Sequence, residues 1–183
     1  MKTIYILLTR STTLLSNMVY LVTADQYTHV SISFDESLQP MYSSSRKNGN
    51  TMFPAGPCAE HFHRGYYKKH PCIPCALYEL EVSDEVYATA KSEVEQIMNH
   101  SDEYSFNIIG LFLCHLNIPS RRRRHYFCSQ FVGEILYRSK ALELPKDTSL
   151  MRPSDYMCLP NLVCRYRGQL SDLLHICTTS AMI

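Results

Sequence analysis

The chain has almost no excess charge of either sign: 18 lysines and arginines stand against 17 aspartates and glutamates, a formal net charge of +1. No global field therefore draws it to nucleic acid or to an anionic membrane, and a nucleic-acid partner is not expected. Long apolar runs are missing as well. A membrane span needs roughly 20 consecutive apolar residues, whereas the best stretch, Ile108 to Leu116, is short and holds Cys114 and His115. Internal repeats and low-complexity segments are absent, which removes fibrous and collagen-like architectures. An export signal is not expected either. Ile4 to Leu8 is apolar, but Thr9-Arg10-Ser11-Thr12-Thr13 interrupts it with a charge, and no small-x-small cleavage pattern follows closely. These features predict a cytoplasmic protein, whose thiols stay reduced. Its eight cysteines are then expected to be buried, metal-bound or catalytic. A disulfide framework is further disfavoured because four of them crowd between Cys58 and Cys114.

What is present suits a single folded domain over residues 1–183: the length matches one domain, and 45% apolar content supplies a core. Lys2 to Thr9 is β-branched and apolar and reads as a buried strand. Ser11, Thr12 and Thr13 offer caps for a helix near 13–24, where Leu14, Leu15, Met18, Val19 and Val22 share a face. Tyr27 to Phe34 alternates, with Val30, Ile32 and Phe34 on one side and His29, Ser31 and Ser33 on the other. That pattern predicts a half-buried strand with His29 on its polar face. Leu38 to Arg46 reads as its hairpin partner, and Asn48 to Pro57, with two glycines and two prolines, as a loop. Cys75 to Val82 is another alternating strand, and Ser83-Asp84-Glu85 opens a helix running to about His100. Tyr104 to Leu116 and Cys128 to Ser139 read as two more helices, with Leu162 to Tyr166 as a last strand. The mixed order predicts an α+β fold, a small antiparallel sheet packed against several helices.

Cys128 and His29 form the sharpest chemical pairing. Cys128 stands where a loop enters an amphipathic helix, so free N–H groups and the helix dipole favour a thiolate there and can face a developing oxyanion. An imidazole on a strand can accept the thiol proton and orient the nucleophile. Weighed against this, a cysteine one turn into an apolar helix is commonly a small core residue.

Three segments sharpen the reading: Tyr27-Thr-His-Val-Ser-Ile-Ser-Phe-Asp, Met41-Tyr-Ser-Ser-Ser-Arg-Lys-Asn and Tyr126-Phe-Cys-Ser-Gln-Phe-Val-Gly-Glu-Ile-Leu. Together they resemble the circularly permuted NlpC-type branch of the papain-like cysteine hydrolases, in which the histidine strand precedes the cysteine helix. The resemblance implies a papain-like fold and a Cys128–His29 dyad acting through an acyl-enzyme. It also implies a third polar group from the strand after the histidine strand. Ser43 is the best candidate for that orienter, with Tyr42, Ser44 and Ser45 as rivals. Relatives would carry a bulky apolar residue and a glycine where this chain has Ser44 and Ser45.

Other constellations have blander readings. Cys58-x-x-His61-x-His63 followed by Cys72-x-x-Cys75, with His70 alongside, has the soft ligands of a tetrahedral zinc site. Incidental loop thiols explain it as well, and neither a metal nor any other cofactor is expected. Arg121 to Arg124 with His125 can dock an anionic group, but a solvated loop is its simplest meaning. The pairs Tyr66-Tyr67 and Lys68-Lys69 read as surface. Two functions remain. One is a cysteine hydrolase (peptidase or amidase) or acyltransferase acting on a small peptide, amide or lipid-like acyl substrate. The other is a catalytically inactive binding or scaffold domain on the same fold, with a zinc-stapled loop.

Overall fold

The computed structural model describes residues 1–10, 25–47 and 54–180. The helix expected near 13–24, with its caps at Ser11, Thr12 and Thr13, lies outside the described residues. So does most of the loop expected from Asn48.

Among the described residues, eight strands and five α-helices follow in chain order: β1 (Lys2–Thr9), β2 (His29–Ser33), β3 (Met41–Arg46), β4 (Ala55–Glu60), α1 (Gly65–Lys69), β5 (Pro74–Val82), α2 (Asp84–Asn99), β6 (Ser105–Phe106), α3 (Ile108–His115), β7 (His125–Tyr126), α4 (Cys128–Arg138), β8 (Val163–Gln169) and α5 (Leu170–Ser180). Six strands form one antiparallel sheet in the order β4-β3-β2-β1-β5-β8. β6 and β7 make a separate parallel ladder, pairing Ser105 with His125 and Phe106 with Tyr126. The protein is thus α+β.

Period-two alternation sorts the sheet residues onto two faces. Ile4, Ile6, Leu8, Val30, Ile32, Tyr78 and Leu80 point to one, where Phe131, Val132 and Ile135 of α4 and Val94 and Ile97 of α2 cover them. Leu7, Met41 and Leu77 point to the other, against Phe62, Tyr67 of α1, Ile73, and Leu170 and Leu173 of α5. The molecule is a three-layer helix–sheet–helix sandwich in which α2 and α4 lie on one face and α1 and α5 on the other. The start of α2 is set as its sequence predicts, since the Ser83 hydroxyl accepts the Val86 N–H at 3.2 Å.

Three expectations need correction. β2 is not half-buried: Ser31 and Ser33 are fully buried, Ser31 beside Leu7 on the face of the second core cluster and Ser33 in the turn after β2, where its Oγ donates to the Pro40 carbonyl at 3.0 Å. α5 has no counterpart among the expected elements. The stretch Tyr104 to Leu116 is not one helix. Ser105 and Phe106 are pinned in the β6–β7 ladder, and the Asn107 side chain accepts the Gly110 N–H at 2.9 Å, so helix α3 begins only at Ile108. Residues 55–57 are not loop but the start of β4. That strand is the edge of the sheet, where Pro57 is tolerated because it owes no hydrogen bond to a further neighbour. Gly56 fits because a Cβ there would sit 3.1 Å from the Tyr104 carbonyl oxygen.

All eight cysteines are free thiols. Among the described residues, no helix is long and apolar enough to cross a membrane.

Candidate active site

Cys128 is the first residue of α4, preceded by Phe127 in extended backbone at φ −97°, ψ 171°. The first helical bond runs from the Phe131 N–H to the Phe127 carbonyl at 2.9 Å. The N–H groups of the opening turn thus have no partner within the helix and point past the thiol. The strand-to-helix entry is held by side chains from three elements. Ser44 Oγ donates to the Tyr126 carbonyl at 2.6 Å, the Asn107 N–H donates to the same oxygen at 3.1 Å, and Asn107 Nδ2 donates to Gln130 Oε1 at 3.2 Å. On the far side of the turn, Ser129 Oγ donates to the Met151 carbonyl at 2.7 Å. The Tyr156 hydroxyl donates to the Ser129 carbonyl at 2.6 Å.

His29, at the start of β2, lines the same cavity as Cys128, and the Cys128 thiol is among the groups that raise its pKa. His29 Nε2 lies 3.0 and 3.1 Å from the two carboxylate oxygens of Glu60, which leaves Nδ1 as the ring nitrogen for the thiol. The imidazole and carboxylate side chains are only 13% and 11% exposed. Burial by itself would lower the His29 pKa, but the Glu60 charge, the bond its carboxylate accepts from Nε2 and the nearby Cys128 outweigh it and hold the pKa well above 6.5. Burial would raise the Glu60 pKa. The His29 charge, with hydrogen bonds from His29, Ser45 and Tyr67, outweighs that and holds it below the ordinary carboxylate value. The result is a half-buried pair in which each partner favours the charged form of the other. Ser45 Oγ donates to Glu60 Oε1 at 2.7 Å and the Tyr67 hydroxyl to Oε2 at 3.2 Å, so every strong acceptor site of the carboxylate is used.

The Cys128–His29–Glu60 array opens into a cavity of about 350 Å³, whose walls include Thr28, Tyr67, Phe106 and Leu111. That is the small end of the roughly 300–1,000 Å³ range of ligand pockets, enough for one substituent of a larger substrate. An imidazole held by a carboxylate, a thiol and the first turn of α4 all line it, residue types that acyl transfer to sulfur can use.

The structure therefore brings Cys128 and His29 together but not Ser43. Ser43 Oγ donates to the Val30 carbonyl at 3.1 Å, a bond inside the sheet, and the orienting position at His29 is occupied by Glu60. The correction is one strand outward. β3 pairs with β4 so that Ser43 faces Cys58 and Met41 faces Glu60, and a long carboxylate at the sheet edge reaches the imidazole where a short serine side chain cannot. Of the rivals, Ser45 supports Glu60, Ser44 fastens Tyr126, and Tyr42 packs against the core. Glu60 had one sequence signal, the two-residue spacing that puts it on the same side as Cys58, but Gly56 and Pro57 just before it point to a loop.

The cysteines and histidines of the zinc-like pattern do not converge. Cys58 on β4 and Cys75 on β5 are separated by three intervening strands, Cys75 is packed among Leu7, Leu77 and Leu170, and Cys72 is exposed. Among the described residues, no group of three or more His, Cys, Asp or Glu side chains is placed to hold a metal ion.

No protein-family model matches the chain, and no curated protein matches it.

Proposed function

We propose that the protein is a cysteine hydrolase or acyltransferase on a circularly permuted, NlpC-type papain-like fold. The observation that carries this reading is a half-buried His29, bonded to the Glu60 carboxylate, that lines one cavity together with Cys128. The order of the chain supports it too, since the histidine strand β2 precedes the cysteine helix α4. Ser44 and Ser45, which set this chain apart from the expected relatives, both have work at the site: one fixes Tyr126, the other braces Glu60.

In this mechanism the thiol proton passes to His29 before attack, and Cys128 Sγ, as the thiolate beside that imidazolium, attacks the carbonyl carbon of an amide, ester or thioester. The carbonyl π pair moves to oxygen, and N–H groups at the start of α4 stabilise that charge. Collapse of the tetrahedral species expels the leaving group, which takes the proton from His29, and leaves an acyl-thioester on Cys128. Water gives hydrolysis; a second nucleophile gives acyl transfer. Glu60 keeps the ring fixed and stabilises the imidazolium throughout.

The test is the pH dependence of Cys128 alkylation by iodoacetamide, followed by mass spectrometry in the wild type and in His29→Ala. Rapid labelling at about pH 6 that the variant loses is the expected outcome. Equal, slow labelling in both proteins, rising only near the free-thiol value of about 8.5, would overturn the enzyme reading.

A further inference from the structure

The segment between β6 and β7 rests by one side on residues 147–152, where Arg152 donates to the Cys114 and His115 carbonyls and the Ser120 N–H donates to Ser149 Oγ. It comprises α3, the turn through Ile118 and Pro119, and the four arginines Arg121 to Arg124. Helices of globular proteins bury their apolar stripe, yet α3 presents one to solvent. Ile109 is 57% exposed, Phe112 54%, Leu116 65% and Ile118 48%. Ile109, Phe112 and Leu116 follow each other at three- and four-residue steps, so they form one line along the helix. Half of the eight exposed large apolar residues of the described chain fall in this single stretch, whereas scattered single exposures are what a monomer's surface ordinarily shows. The inner side of the same helix carries Leu111, which lines the active-site cavity together with Phe106 of β6.

Beside the stripe stand the arginines, all exposed. Arg121 pairs with Asp147 at 2.8 Å and Arg124 pairs with Glu103. Among the described residues, no carboxylate pairs with Arg122 or Arg123. An apolar line next to unpaired guanidinium groups, on a chain with nearly no net charge, is a local amphipathic device. Protein partners with an acidic surface would satisfy the arginines but would leave the apolar line without a matching socket. A bilayer surface satisfies both at once, with acyl chains for the stripe and phosphate or carboxylate headgroups for the arginines.

We propose that the α3 segment and its arginine loop dock the protein on an anionic phospholipid surface, with the cavity mouth at Phe106 and Leu111 held next to the lipid. The four apolar side chains enter the headgroup boundary, and Arg122 and Arg123 lie among the anionic headgroups. The proposal concerns binding and holds whether or not Cys128 is a nucleophile. Its test is therefore run in parallel on the wild type and on Cys128→Ala.

The experiment is co-sedimentation of the full chain with vesicles of phosphatidylcholine alone and with about a third phosphatidylserine, at about 0.1 M salt. Both Cys128 forms are expected to pellet with the anionic vesicles, less with the neutral ones, and less again as salt rises. Replacing Arg122 and Arg123 by glutamine should weaken binding about thirtyfold, roughly fivefold per arginine. Phe112→Ser with Leu116→Ser should also release the protein while leaving its circular dichroism and its Cys128 alkylation unchanged. Failure of the wild type to bind the anionic vesicles, or binding that both double variants retain, would overturn the proposal. So would light scattering that shows a stable dimer which the Phe112/Leu116 variant converts to monomer, since a second copy would then cover the stripe.

Discussion

Replacing Glu60 by glutamine keeps the size of the side chain and removes the charge beside His29. Both carboxylate oxygens contact the same Nε2, at 3.0 and 3.1 Å, so the change removes one shared, charge-assisted bond rather than two. Bonds of that kind contribute about 1.5–3 kcal/mol, and at 13% and 11% exposure the pair needs little discount for solvent screening. At 1.36 kcal/mol per factor of ten, the proton-binding constant of His29 falls about ten- to a hundredfold, and the thiolate that the imidazolium stabilises loses the same support. The assay is the iodoacetamide rate of Cys128 near pH 6, read by mass spectrometry, with His29→Ala as the fully disabled reference. Glu60→Gln should fall between wild type and His29→Ala. A Glu60→Gln rate within about twofold of wild type, far smaller than one charge-assisted bond implies, would refute the assignment of Glu60 as the residue that holds the imidazolium. The His29 assignment would stand.

The same pair makes stability depend on pH. The raised His29 pKa gives a contribution fully present below 6.5 and lost as pH climbs through the folded value, while the lowered Glu60 pKa gives one present above 4.5 and lost as pH falls through its folded value. The Tm difference between wild type and Glu60→Gln should therefore be largest between pH 4.5 and 6.5 in a calorimetric series; a difference that keeps growing toward pH 9 would contradict the pairing. Burial pushes the Cys58 thiol up to about 11 and the Cys75 thiol up to about 12. Both should stay unalkylated in the folded protein at pH 8 while exposed Cys72, Cys158 and Cys164 react; prompt labelling of Cys75 would mean that the α5 layer is not in place. Ser44→Ala removes a buried donor from the Tyr126 carbonyl and should lower stability by about 1 kcal/mol in urea titration. No change there would mean that the hydroxyl does not hold the turn before Cys128.

Legibility from sequence tracked how local each determinant is. β1, β2, β3, β5 and α2 were readable because period and capping are properties of neighbouring residues: Ser83 announces α2, and Ile4, Ile6 and Leu8 announce a covered face of β1. The placement of Cys128 was readable for the same reason, since it stands at a loop-to-helix junction whose helix has a plain apolar stripe. What escaped depends on who sits alongside. Pro57 breaks a central strand but is harmless on an edge, and a bare sequence does not say which strand is the edge. Glu60 was hidden with it. Likewise, Ser31 and Ser33 look like a solvent face until the core cluster around Leu7 and the turn to Pro40 enclose them, and Ser105 leaves the helical pattern only because His125, distant along the chain, pairs with it.

The doubly bonded Tyr126 carbonyl has a mechanical consequence. Ser44 Oγ and the Asn107 N–H occupy both of its lone pairs, so the peptide plane between Tyr126 and Phe127 cannot rotate without losing two bonds. The next plane, between Phe127 and Cys128, is anchored through the Phe127 carbonyl by the Phe131 N–H. With two successive planes locked, the crankshaft motion that would swing the Cys128 N–H is closed off. The dipole meeting any group that nears Sγ was aimed when the chain folded, and no backbone reorientation is left to accompany the arrival of charge.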